Sequence, residues 1–148
     1  MTLSEEFARI NSVFIDTAPI IYYLQAHPEF GPLAREVVIA IESGSLTAYS
    51  SVLTLTEVLI KPVAINDAAL AQKFVQFIKH AKHLTLIDIS EGIAETAGNL
   101  RGHYSFLKTV DALQLAAALD VGADAFITND IKLKNINKLP IIVLKDYL

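Results

Sequence analysis

Four carboxylates, Asp16, Glu57, Asp111 and Asp130, are the side chains of this sequence whose types and positions could do chemistry. Glu57 is the hardest to explain by structure alone. It sits inside Val52-Leu53-Thr54-Leu55-Thr56-Glu57-Val58-Leu59-Ile60, and a lone carboxylate buried unpaired in so apolar a segment is costly. Exposure on a solvent face is the plain alternative. Asp16 ends a short apolar run and equally suits a helix cap. Asp111 lies in the first turn of an apolar helix, where the helix dipole favours any acid. Asp130 follows Asn129, an ordinary turn pair. Singly, three of the four are unexceptional.

If folding gathers them, they cannot all stay ionised without a cation, because like charges raise one another's pKa. Cys is absent, and His27, His80, His83 and His103 are scattered without metal-ligand spacing. Oxygen donors alone suit Mg²⁺ or Mn²⁺ rather than zinc. Such ions activate water and stabilise the charge that develops in phosphoryl transfer.

The elements that must position these acids alternate regularly. Val13-Phe14-Ile15, Leu46–Ser50, Leu84–Ile89, Ala125–Thr128 and Ile141–Val143 read as strands. Between them, helical spacing predicts Pro19–Tyr23, Pro32–Glu42, Val52–Ile60 with Pro62 as terminator, Ala68–Ala81 capped by Asp67, Ile93–Arg101 after Ser90, and Val110–Val121 capped by Thr109. Gly44 and Gly122 read as stops. Strands alternating with helices imply an α/β fold with a mostly parallel sheet and helices on both faces. In such folds ligands bind beyond the carboxyl ends of the strands, the edge where these four acids fall.

The chain has 148 residues, 53% of them hydrophobic and 19% charged, a size expected for a single domain over residues 1–148. Its mean hydropathy of +0.44 is high, yet no apolar run approaches a membrane-spanning length. The start, Met-Thr-Leu-Ser-Glu-Glu, has no apolar core of a secretory signal. A soluble, cytoplasmic protein without membrane attachment is expected, with its apolar excess left for a partner or a self-interface. The net charge of −4 argues against a nonspecific nucleic-acid binder.

Four segments together carry a family resemblance: Phe14-Ile15-Asp16-Thr17, Leu55-Thr56-Glu57-Val58, the stretch Leu107-Lys108-Thr109-Val110-Asp111-Ala112-Leu113-Gln114-Leu115-Ala116, and Phe126-Ile127-Thr128-Asn129-Asp130. In order and spacing the chain resembles PIN-domain nucleases from about Ser12 to Val143, and within them the VapC-like ribonuclease toxins of VapBC toxin–antitoxin modules. The resemblance implies a three-layer α/β/α domain. It implies that Asp16, Glu57, Asp111 and Asp130 line a pocket for Mg²⁺, with Mn²⁺ able to substitute, and that metal-activated water attacks an RNA phosphodiester. Thr17 and Thr128 match hydroxyls that orient the acids. A cognate antitoxin and a homodimer are the implied protein partners. Val110 stands where Pro is frequent, Gln114 where His is frequent and Leu133 where Phe is frequent. These departures touch substrate contacts more than the acids.

Removing four metal-ligating acids from the 16 leaves 12 against 12 basic residues, which softens the charge objection. Arg101, Lys108, Lys132 and Lys134 are the candidate RNA contacts, with Lys138, His103 and Tyr104 nearby to hold phosphates or stack a base. Other phosphate chemistries fit poorly. A haloacid-dehalogenase site needs a second Asp where Ala18 stands, a receiver domain needs its Lys-Pro later than Lys61-Pro62, and no nucleotide-binding glycine motif occurs. The alternative reading is a PIN-like binding or scaffold module without catalytic activity.

Overall fold

The computed structural model describes residues 1–148. In chain order the elements are α1 (Leu3–Phe7), β1 (Ser12–Ile15), α2 (Thr17–Leu24), α3 (Gly31–Glu42), β2 (Thr47–Ser51), α4 (Val52–Ala64), α5 (Ala68–His80), β3 (Leu84–Ile87), α6 (Glu91–His103), α7 (Thr109–Asp120), β4 (Ala125–Thr128) and β5 (Ile141–Val143), with 3₁₀ turns at Ile131–Asn135 and Leu144–Tyr147. The five strands form one sheet in the order β3-β2-β1-β4-β5. Every neighbouring pair is parallel.

Right-handed crossovers explain the layering. From β1 the chain steps twice in one direction, to β2 and then β3, so α2 to α5 lie on one face. The return step to β4 passes on the other side of β1 and puts α6 and α7 on the opposite face. Alternation along the strands serves both layers. Val13, Ile15, Ala125 and Ile127 enter the core under α1 to α5 with Ile20, Val37, Val58 and Phe74. Phe14 and Phe126 point the other way, into the core with Leu100, Leu115 and Leu133. Those two rings stack with centroids 5.5 Å apart and planes 5° apart. Each fully buried side chain of this size stabilises the fold by about 1.5–3 kcal/mol. The result is a three-layer α/β/α arrangement, and no helix in it is long and apolar enough to cross a membrane.

Local structure departs from the sequence expectations in four places. The helix expected to stop at Ile60 runs through Pro62 to Ala64. Proline there gives up one N–H bond and crowds the Val58 carbonyl, a cost the last turn of the helix absorbs. Pro62 is buried, its carbonyl accepts from the Asp67 N–H at 2.8 Å, and Asn66 in the left-handed region (φ 57°) ends the helix. Thr109 does not cap α7; Lys108 holds that position without a side-chain bond, and the Thr109 hydroxyl accepts from Arg101 instead. β3 ends at Ile87 rather than Ile89. The short α1, unforeseen, is closed by a reciprocal Thr2–Glu5 capping box and anchored by buried Leu3 and Phe7.

Candidate active site

The strand order reverses between β1 and β4, the place where open parallel sheets part to admit ligands. Asp16 and Asp130 follow those two strands. Asp16 caps α2, with Oδ1 accepting the Thr17 N–H at 2.9 Å. Its Oδ2 accepts the Thr128 hydroxyl at 2.8 Å. The same Thr128 oxygen accepts the Asp130 N–H at 3.1 Å, so one side chain at the end of β4 ties both acids together. Asp130 caps the following 3₁₀ turn through the Lys132 N–H at 3.0 Å.

Glu57 lies in the second turn of α4. It is half-buried and accepts the Thr17 hydroxyl at 2.6 Å. Asp111, in the first turn of α7, arrives from the opposite face of the sheet. The four acids line two pockets of about 420 and about 390 Å³. Glu57, Asp111 and Asp130 border the first, Asp16, Glu57 and Asp111 the second. Glu57 and Asp111 are common to both.

Their charges are compensated only in part: Lys108 acts on Asp111, and none of the four forms an ion pair. The molecule's one ion pair, Lys134–Asp146, involves none of them. The Asp16 carboxyl is pushed up to about 6, mainly by burial, with Asp111 and Glu57 adding and the hydrogen bonds from Thr128 and Thr17 opposing. Asp111 is raised by burial first, then by Asp130 and Glu57, while the backbone and ammonium of Lys108 pull it down. No three of the acids converge into a finished cage. The donor set nevertheless fits a hard divalent cation: four carboxylates, no His or Cys among them, whose negative charge no ion pair neutralises.

Beneath the acids runs a chain of hydrogen bonds that the sequence did not disclose. The Ser51 hydroxyl donates to Gln114 Oε1. Gln114 Nε2 donates to Thr54 Oγ1 at 2.9 Å. Thr54 Oγ1 lies 2.8 Å from Ser50 Oγ, which donates to the Ile15 carbonyl at 2.9 Å. Because the Ser50 proton is committed to Ile15, the Thr54 hydroxyl is the donor in their contact. Thr54 also lies 3.3 Å from Thr17 Oγ1. The chain's buried polar side chains are Thr17, Ser50, Ser51, Thr54, Gln114 and Thr128; the first five form this framework and Thr128 bonds the acids directly. Thr54 stands one turn before Glu57 and Gln114 one turn after Asp111, so the bond between them locks the two acid-bearing helices together. A signal was present in the sequence: polar residues interrupting apolar segments at one helical turn from an acid.

The basic candidates separate into two pairs. Lys108 and Lys132 line the pocket with Glu57, Asp111 and Asp130. Arg101 is engaged internally, its Nε donating to the Leu107 carbonyl and its Nη1 to Thr109 Oγ1, both at 2.9 Å. Lys134 pairs with Asp146 at 2.7 Å. Tyr104 is half-buried and donates its hydroxyl to Asn137 Oδ1 at 2.7 Å. The aromatic that borders the acids is Phe106, to which no sequence motif points.

No curated protein matches this chain in sequence. Solved structures do resemble it in shape. A chain of VapBC2 from Rickettsia felis, bound to a DNA fragment from its promoter, superposes with a TM-score of 0.71 at 21% identity, covering 88% of this chain and 96% of that one. A toxin–antitoxin complex from Klebsiella pneumoniae gives 0.66 at 24% identity over 89% and 97%. The Mycobacterium tuberculosis VapC20, described as a sarcin-ricin loop cleaving toxin, gives 0.64 at 14% identity over 77% and 86%. At these identities the likeness establishes the shared fold. The sequence pattern of the PIN domain matches residues 13–139, a span that begins inside β1 and takes in all four acids, and by that match the chain belongs to the PIN domain family.

Proposed function

We propose that this protein is a divalent-metal-dependent endoribonuclease, the VapC-like toxin of a toxin–antitoxin pair acting in the cytoplasm. The observation that carries the reading is the cluster of Asp16, Glu57, Asp111 and Asp130, none in an ion pair, at the point where the strand order reverses. A shape shared with VapBC toxin chains and with an RNA-cleaving toxin supports the substrate class and the antitoxin partner. Exposed Ile60, Val63 and Ile65 at the end of α4 supply apolar surface for that partner or for a homodimer.

Asp16, Asp111 and Asp130 would hold Mg²⁺, or Mn²⁺ in its place, with Glu57 completing the set directly or through water. An ion held there would supply a Lewis acid that activates water and offsets the charge developing on the phosphate. Thr128 holds Asp16 and Thr17 holds Glu57 in fixed orientations, which limits the rearrangement needed on binding. Lys108 and Lys132 meet the phosphate backbone at the lip of the pocket.

Purified protein incubated with total RNA and Mg²⁺ or Mn²⁺ should release discrete fragments, and Asp16→Asn should release none. Intact RNA with the unaltered protein, under conditions where it demonstrably binds the metal, would favour the non-catalytic scaffold.

A further inference from the structure

Phe106 is the most exposed aromatic side chain of the molecule, with 40% of its surface accessible, and it lines the pocket that holds Glu57, Asp111 and Asp130. Every Tyr is more covered, and the other Phe rings are buried or half-buried. An aromatic ring on a loop gains little from folding unless something else covers it. Here the surroundings specify that cover. Two lysines free of ion pairs, Lys108 and Lys132, flank the same pocket. A flat apolar face between phosphate-binding cations and metal-binding acids matches an unpaired base attached to a charged backbone.

The loop is also built to hold the ring still. On its N-terminal side, Tyr104 is fixed by its bond to Asn137 and meets Phe106 edge-on, with centroids 6.2 Å apart at 72°. On its C-terminal side, Leu107 is buried and its carbonyl is gripped by Arg101, which reaches on to Thr109. Arg101 thus serves recognition indirectly, by bracing the residues on either side of Lys108. A preorganised platform loses little entropy when a base stacks on it.

We propose that Phe106 is the stacking platform for an unpaired RNA base beside the scissile phosphate, selecting single-stranded or looped RNA over duplex. This rests on the ribonuclease reading above for the identity of the strand. The sequence contains no tryptophan, so Phe106→Trp installs a single fluorescent reporter at the site. The experiment titrates this variant with a short mixed-sequence single-stranded oligoribonucleotide, with Ca²⁺ replacing Mg²⁺ to neutralise the acids. The expected result is saturable quenching, largely lost with an abasic chain of the same length. Phe106→Ala should bind the single strand about tenfold more weakly, with its affinity for blunt duplex and for the abasic chain unchanged. Its melting temperature serves as the folding control, and Phe106→Tyr should restore binding. Equal quenching by the abasic chain, or undiminished affinity in a folded Phe106→Ala, overturns the platform. RNA cleavage by Phe106→Ala with unchanged KM also overturns it and leaves the nuclease standing. Selective quenching in a protein that never cleaves RNA upholds the platform and removes the nuclease.

Discussion

Two aspartates at opposite ends of neighbouring strands experience opposite fates. Asp16 follows β1, and Asp124 precedes β4, its partner in the sheet. Each accepts two hydrogen bonds. Asp124 Oδ2 takes the N–H groups of Asn11 and Ser12 at 2.8 and 3.0 Å, and its carboxyl is held below the usual range by them. Asp16 takes the Thr17 N–H and the Thr128 hydroxyl, yet its carboxyl is pushed up to about 6. The number of hydrogen bonds does not separate the two. Solvent and neighbours do: Asp124 is exposed with no acid pressing on it, whereas Asp16 is withdrawn from water with Asp111 and Glu57 nearby. One end of the sheet uses its aspartate to pin strands. The other keeps its aspartate hydrogen-bonded but withdrawn from water beside two further acids, so that its charge is costly.

The largest expected contrast is in catalysis. Asp16→Asn should lower RNA cleavage by about a hundred- to a thousandfold, the range seen when a group that holds a metal or its oriented charge is removed. Asp124→Asn should leave cleavage within a fewfold of the unaltered rate. Equal losses in a cleavage assay would erase the distinction between the two ends.

Stability should move in opposite directions. The folded Asp16 pKa lies above its ordinary value of 3.8, so its contribution is favourable when protonated and is lost as the pH rises from there through about 6. In chelator at neutral pH, Asp16→Asn should therefore stabilise the protein, by up to about 3 kcal/mol. Thermal melts should show that gain fading toward pH 4 and shrinking when Mg²⁺ is added, because the ion stabilises only the unaltered site.

Gln114→Ala tests the support beneath the acids. It strips partners from buried Ser51 and Thr54 and should lower stability by about 2 kcal/mol in denaturant unfolding. Metal affinity should fall with it, which a substitution that merely loosened the core far from α4 would not produce.

The smallest effect belongs to Asp124. Its folded pKa is depressed, so its stabilisation is present above the ordinary value of 3.8 and lost as the pH falls through the lower folded one. Being exposed, Asp124→Asn should reduce stability by only about 1 kcal/mol near neutrality, and melts in acid should show the difference vanish.

Much of the fold was readable in advance because it rests on short-range patterns. Apolar strand runs such as Val13–Ile15 and Ala125–Thr128, punctuated by Gly44, Asp67 and Gly122, placed all five strands and most helices. The exceptions are places where distant contacts outweighed local preference. α4 continues past Pro62 because burial of that ring outweighs the lost N–H bond, and the helix closes only at Asn66, where the Asp67 N–H turns back to the Pro62 carbonyl. α1, with five residues, is too short to persist alone and is held by buried Leu3 and Phe7. At the site, Glu57 announced itself as a carboxylate in apolar company. Ser50 and Ser51 did not, since a hydroxyl near a strand end is ordinary until its partner is known.

The sequence by itself determined all five strands and most helices, and that four acids fall at the carboxyl edge of the sheet, because periodicity and capping act over a few neighbouring residues. Only the tertiary structure decided which aspartate has its charge stabilised and which has it opposed, and which lysines remain free beside Phe106. Desolvation, Coulomb repulsion and ion pairing depend on neighbours in space: Asp16 meets Asp111 from the opposite face of the sheet, and Lys134 meets Asp146 from beyond β5.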